Sequence, residues 1–248
     1  MATAPRTRTG VRTAVVWDYL RGVLDDLAGG GTIRVLDAGG GSGGFAVPLA
    51  QLGHDVTVVD PSPDSLAALE RRAAETGATE HIHAMQGDAA GLPGLVPAGS
   101  FDLVLCHSVL EVVDDPAEAL AAISQSLRSG GVASVLAATR TAAVLGRVAA
   151  GRLAEARRLL ADTHGTTGAG DPLLRRFTLD ELDLLLATAG LRLQTVHGVR
   201  VFADTVPPAL LDGDPQAADD LLALERAAAQ RADYLALATQ LHLLARRD

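Results

Sequence analysis

Lysine is missing from all 248 residues, so every one of the 21 basic side chains is an arginine. That excludes a Schiff-base amine, a P-loop lysine and the Tyr-x-x-x-Lys pair of short-chain dehydrogenases. Cysteine occurs once, at Cys106, which excludes an intramolecular disulfide and a cysteine-cluster metal site. No apolar run approaches the roughly 18 residues that span a bilayer. Residues 1–10 carry arginines without the apolar stretch of a secretory signal. The expected location is therefore the cytoplasm, with no membrane partner. The histidines at 54, 81, 83, 164, 197 and 242 show no metal-ligand spacing, and no metal is expected.

What is present is a chain 48% apolar, long enough to bury a large core as one α/β domain spanning 1–248. The net charge of -9 argues against bulk nucleic-acid binding, and no DNA partner is expected. The charge is uneven. Residues 140–176 hold seven arginines against three acids, a basic island in an acidic chain.

Apolar spacing predicts a helix over 11–28, then a buried strand over 32–37 that runs into glycines. Strand and helix then alternate. Helices are predicted over 45–52, 62–76 and 116–127, and strands over 56–60, 80–86, 101–107 and 132–138. This is the pattern of a doubly wound, mostly parallel sheet. Residues 140–160 read as one helix and 163–172 as a loop, so about 140–176 is expected to be a helical lid inserted over the sheet's ligand edge. The core is expected over about 30–139 and 177–248. Within its second part a helix is predicted over 178–189, a strand over 191–202, an Ala/Leu helix over 217–238 and a last edge strand over 240–246.

The most informative stretch is Asp37-Ala38-Gly39-Gly40-Gly41-Ser42-Gly43-Gly44, which follows a strand and opens a helix. Two patterns fit it. Gly39, Gly41 and Gly44 match a dinucleotide fingerprint; Asp37, Gly39, Gly41 and Gly43 match a loop for S-adenosylmethionine. Asp37 decides between them, because a carboxylate repels a pyrophosphate and attracts a sulfonium or an ammonium. Asp60 ends the next strand, where it can accept from both ribose hydroxyls. Asp88, after the third strand, can accept from an adenine amino group.

Here the chain resembles class I S-adenosylmethionine-dependent methyltransferases with their Rossmann-like fold. The stretch Val35–Gly41, His107-Ser-Val-Leu-Glu111, Gly198-Val-Arg-Val-Phe202, and Glu225, Tyr234 and His242 at matching spacing resemble the bacterial tRNA 5-carboxymethoxyuridine methyltransferases. Gly10-Val-Arg12-Thr-Ala14 with Trp17 fits that family's first helix. The resemblance implies that Arg12 holds the carboxylate of S-adenosylmethionine and that Asp37, Gly39, Gly41 and Gly43 cradle its methionine part. It further implies Asp60 and Pro61 at the ribose, Asp88 and Ala89 at the adenine, and Cys106 beside the cofactor, whose product is S-adenosylhomocysteine. His107 would line the methyl-transfer face and Arg200 would pair with the substrate carboxylate.

A carboxylate acceptor is already ionised at neutral pH and needs placing rather than a base. Arginine suits that task, since guanidinium binds carboxylate through two parallel bonds. Two acceptors stay open: a modified tRNA uridine, favoured by the full-length resemblance and the basic segment, and a small molecule of secondary metabolism. The acidic balance and Val112, where the family has a tryptophan, favour the second. A non-catalytic protein that binds S-adenosylmethionine is the reading from another class. Each candidate also has a plainer role: Arg200 as an ion-pair partner, His107 and Cys106 as packed side chains, and the arginines of 140–176 as a solvated helix face.

Overall fold

Near-continuous runs of Val, Leu and Ala, as in Val35–Leu36 and Leu103–Cys106, cannot alternate between core and solvent, so both faces of their strands must be covered. In a computed structural model, which describes residues 8–248 apart from the side chains of 8–12, 208, 212, 213 and 215, those runs are fully buried. In chain order the elements are α1 (Arg8–Ala28), β1 (Arg34–Ala38), α2 (Ala46–Gln51), β2 (Asp55–Asp60), α3 (Pro63–Thr76), β3 (Ile82–Gln86), α4 (Leu92–Leu95), β4 (Phe101–His107), α5 (Pro116–Ser126) and β5 (Leu127–Ala138). Then come α6 (Arg140–Ala149), α7 (Leu153–Ala161), α8 (Leu179–Thr188), β6 (Leu191–Val199), α9 (Pro208–Gly213), α10 (Pro215–Ala228), α11 (Ala232–Leu235) and β7 (Gln240–Arg247).

The seven strands form one sheet in the order β3-β2-β1-β4-β5-β7-β6. β1 pairs in parallel with β2 and with β4, so Asp37 lies opposite Val58 on one side and Leu105 on the other. From β1 the chain winds outward through β2 and β3, then returns to β4 on the other side of β1. The carboxyl ends of β1 and β4 therefore flank a topological switch point, where open α/β sheets bind ligands.

The chain divides into two compact units. One comprises Val23–Leu136, Asp180–Thr195 and Leu243–Asp248 and holds most of the sheet. The other comprises, among the described residues, 8–22, Ala137–Leu179 and Val196–His242 and is largely helical.

Several elements differ from the sequence reading. The single helix predicted over 140–160 is two, α6 and α7, because Gly151 takes a left-handed φ of 72° between them. The predicted 217–238 helix likewise ends at Ala228 and resumes as the short α11. β5 begins five residues before Val132: Gly130, at φ 73°, lets an irregular stretch join the strand, with a register shift between Phe101 and Leu103. The last strand is not at the edge. β7 lies between β5 and β6, and its five buried residues from Leu241 to Ala245 show why an inner place suits it.

Candidate functional site

β1 ends by turning into the glycine loop. Gly39 has φ 77° and its N–H donates to the Val59 carbonyl at 2.7 Å. A Cβ there would stand 2.4 Å from Val109 Cγ2. Gly43, at φ 80°, would place a Cβ 2.4 Å from Leu69 Cδ1. Both positions therefore exclude side chains twice over, by dihedral and by space. Gly41 sits at φ 55° with only the Asp60 carboxylate near its bare α-carbon.

Asp60, at the end of β2, is tied to this loop. One of its oxygens accepts from the Gly41 N–H at 2.8 Å, the other from the Ser62 N–H at 2.9 Å. A carboxylate has about four lone-pair sites, so both oxygens keep capacity for further donors. Pro61 follows, exposed, its carbonyl accepting from Gln86 Nε2 at 3.3 Å. After β3, Asp88 is exposed and accepts from the Gly91 N–H at 2.7 Å, while Ala89 beside it is buried.

Asp37 is 3% exposed. Burial, with the charge of Asp60 adding, pushes its carboxyl up to about 7. Neither acid has an ion-pair partner among the described residues. Two buried acids without a counter-charge fit a ligand that brings positive charge, as S-adenosylmethionine does, and disfavour a pyrophosphate. A loop with no room for a Cβ at Gly39 or Gly43 fits a ligand laid against bare backbone. The side chain of Arg12 lies outside the described residues.

His107 ends β4. Its Nε2 lies 2.8 Å from Ser134 Oγ on β5, and Phe45 meets its ring edge-on at 4.6 Å between centroids. Burial pushes it down to about 3, so it is neutral at physiological pH. Ser134 escaped the sequence reading, since nothing in local spacing marks a serine 27 residues away as its partner. Cys106 is fully buried in β4, and burial pushes its thiol up. Its side chain is part of the core, which leaves only its backbone to meet a ligand.

In the helical unit, Arg200 follows β6 with a left-handed φ of 59°, uncommon for a residue with a side chain. Its guanidinium pairs with Asp204, reaches Gln240 Oε1 at 3.5 Å, and has a buried Nε without a hydrogen-bond partner. In the basic segment, Arg176 is buried against Asp171 in a two-bond pair at 2.9 and 3.0 Å. Burial favours the neutral Asp171, but the bonds from Arg176, Thr167 and Leu173 outweigh it and hold the carboxyl well below its ordinary range. Arg147 and Arg152 both bind Glu155, and Arg140 donates to the Thr163 carbonyl at 2.8 Å. Arg157 and Arg158 are exposed.

The family described as "Methyltransferase domain" matches residues 36–135. Over 97% of its length and 90% of the relative's, the chain is 29% identical to a tRNA 5-carboxymethoxyuridine methyltransferase of Escherichia coli (strain K12). It is 32% identical, over 67% of its length and 65% of the relative's, to a ubiquinone biosynthesis O-methyltransferase of Xanthomonas euvesicatoria pv. vesicatoria. Among solved structures, an S-adenosylmethionine-dependent methyltransferase from Mesorhizobium loti shares the fold with a TM-score of 0.61, at 21% identity, covering 96% of this chain and all of the other. No helix among the described residues is long and apolar enough to cross a membrane.

Proposed function

We propose that this chain, which is a class I S-adenosylmethionine-dependent methyltransferase, methylates a carboxylate oxygen, that of a modified tRNA wobble uridine. When bound, S-adenosylmethionine supplies an electrophilic methyl group on a cationic sulfur. In this reading the chain's residues bind and align. Asp60, its oxygens aimed by the Gly41 and Ser62 N–H groups, receives the ribose hydroxyls. Asp37 faces the positive charge of the methionine part, which lies along Gly39, Gly41 and Gly43. Asp88 and Ala89 take the adenine, Pro61 flanks it, and Arg12 takes the cofactor's carboxylate.

The observation that carries the carboxylate acceptor is Arg200, a cation fixed in a backbone conformation that persists only under external constraint. His107 agrees with it. A neutral imidazole pushed down to about 3 is a poor general base, and an ionised acceptor needs none. The task left to the protein is alignment, which can supply about 7–11 kcal/mol of a displacement barrier. The tRNA is supported by similarity to the Escherichia coli relative along nearly the whole chain.

One observation favours a small carboxylic acid instead: Arg140, Arg147, Arg152 and Arg176 are engaged inside the protein, which leaves the basic segment little charge for phosphates. Incubation with methyl-labelled S-adenosylmethionine, total RNA and a small-metabolite extract separates the two. Label in RNA, falling steeply as salt is added, is the expected result. Label in the metabolite fraction selects the second acceptor, and label in neither overturns the carboxylate reading.

A further inference from the structure

We infer that Glu225 is the positioning residue for Arg200, a buried carboxylate that fixes the turn from which the acceptor-binding guanidinium is presented. The inference rests on Arg200 as the cation that meets the acceptor. Three successive backbone N–H groups after Arg200 converge on this one side chain. The Val201 N–H donates to Oε2 at 2.9 Å, and those of Phe202 and Ala203 donate to Oε1 at 2.8 and 2.7 Å. Glu225 lies on α10 and is 1% exposed. Consecutive N–H groups beside a left-handed residue form a concavity for an anion, and here the protein fills that concavity with its own acid.

The other side of the turn is pinned too. The Arg200 carbonyl accepts from the Thr239 N–H at 3.3 Å and from Thr239 Oγ1 at 3.1 Å. The positive φ of Arg200 is thus held from both directions. Gly198 completes the stretch: its N–H donates to the Ala229 carbonyl at 2.6 Å, and a Cβ would come within 3.2 Å of Ala238 Cβ and Val201 Cγ2. The Gly-Val-Arg-Val-Phe run is the outline of this turn. A glutamine at 225 keeps the size, but its amide turns a donor toward at least one of three N–H donors. The turn then loosens and Arg200 loses its direction.

The test uses the full chain, arginine-labelled with nitrogen-15, in the wild type, Glu225→Gln, Arg200→Ala and the double variant; Glu225→Asp replaces Glu225→Gln if that protein fails to fold. In the wild type the buried Arg200 Nε–H should exchange slowly with water, and Glu225→Gln should speed it about tenfold. With tRNA carrying 5-carboxymethoxyuridine as probe, Glu225→Gln should raise the acceptor KM about tenfold, as expected for a misdirected charge-assisted pair. Its kcat and its affinity for S-adenosylmethionine should stay within about twofold, since neither depends on this turn. The double variant should match Arg200→Ala alone. Unchanged Nε–H exchange, or effects on KM that add in the double variant, overturns the positioning role. A KM untouched by Arg200→Ala overturns Arg200 as the acceptor cation, while the exchange rate still reports whether Glu225 holds it.

Discussion

Asp60 and Glu225 are the same device used toward opposite ends. Each is a carboxylate that receives backbone N–H groups at a turn: one from Gly41 in the glycine loop and one from Ser62 in its own turn in one case, three from Val201, Phe202 and Ala203 in the other. At the glycine loop the acid that fixes the turn is also offered to the ligand, and Asp37 beside it adds a second negative group without a described counter-ion. At the turn after β6 the acid is sealed away at 1% exposure, and the proposed acceptor-binding group is the cation Arg200, which here pairs with Asp204. In the proposed function the first region receives a positively charged ligand and the second a negatively charged one. The charge of a recognition site is set by which member of the hydrogen-bonded turn stays accessible.

The largest effect is expected outside both regions, in the basic segment, where Arg176 is paired within the protein as Arg200 is with Asp204. Removing one partner of a buried ion pair leaves an uncompensated charge and costs about 3–5 kcal/mol. Arg176→Ala should therefore lower stability by about that much in chemical denaturation, without changing the salt dependence of acceptor use. A stable variant with a shallower salt slope would return Arg176 to phosphate binding. The linkage gives a sign as well. Asp171 is held below its ordinary range in the folded state, so its contribution is present above the usual carboxylate pKa and is lost as pH falls from there through the depressed folded value.

Next is Asp60→Ala. Losing charge-assisted bonds to two hydroxyls should weaken S-adenosylmethionine by about 100-fold and abolish its thermal stabilisation of the protein. A preserved shift in Tm would remove Asp60 from the ribose. Arg200→Ala should do the reverse, raising the acceptor KM by at least about tenfold with S-adenosylmethionine affinity, measured by calorimetry, unchanged. Equal loss of both affinities would collapse the distinction between the regions.

The smallest effect is on pH. Asp37 rises from an ordinary value of about 3.9 to about 7 in the folded protein. Its burial is thus tolerated below pH 4 and increasingly opposed as pH climbs toward 7. A cation in the crevice favours the ionised form, so affinity for S-adenosylmethionine should rise a few-fold between pH 5.5 and 7.5. Asp37→Asn should flatten that profile in calorimetry. An equal rise in the variant would assign it to another group.

The strands of a doubly wound, mostly parallel sheet and the glycine loop were legible in the chain because their determinants are local. Apolar runs mark buried strands, and Asp37, Gly39, Gly41 and Gly43 stand within one turn of one another. Asp60 was legible too, one βα unit downstream. The inner place of β7 was not, since an apolar run says that a strand is buried and not between which neighbours. Nor was the break between α6 and α7, because one glycine inside a helical pattern is compatible with continuation.

The residues alone thus determined the glycine loop and its acid, for a turn without room for side chains writes its requirement into consecutive positions. The surroundings of His107 and Arg200 were decided by folding. Ser134 comes to His107 and Glu225 to the turn after Arg200 across chain separations that carry no periodicity, and each pairing exists because a buried polar group must find its partner wherever the packed chain happens to supply one.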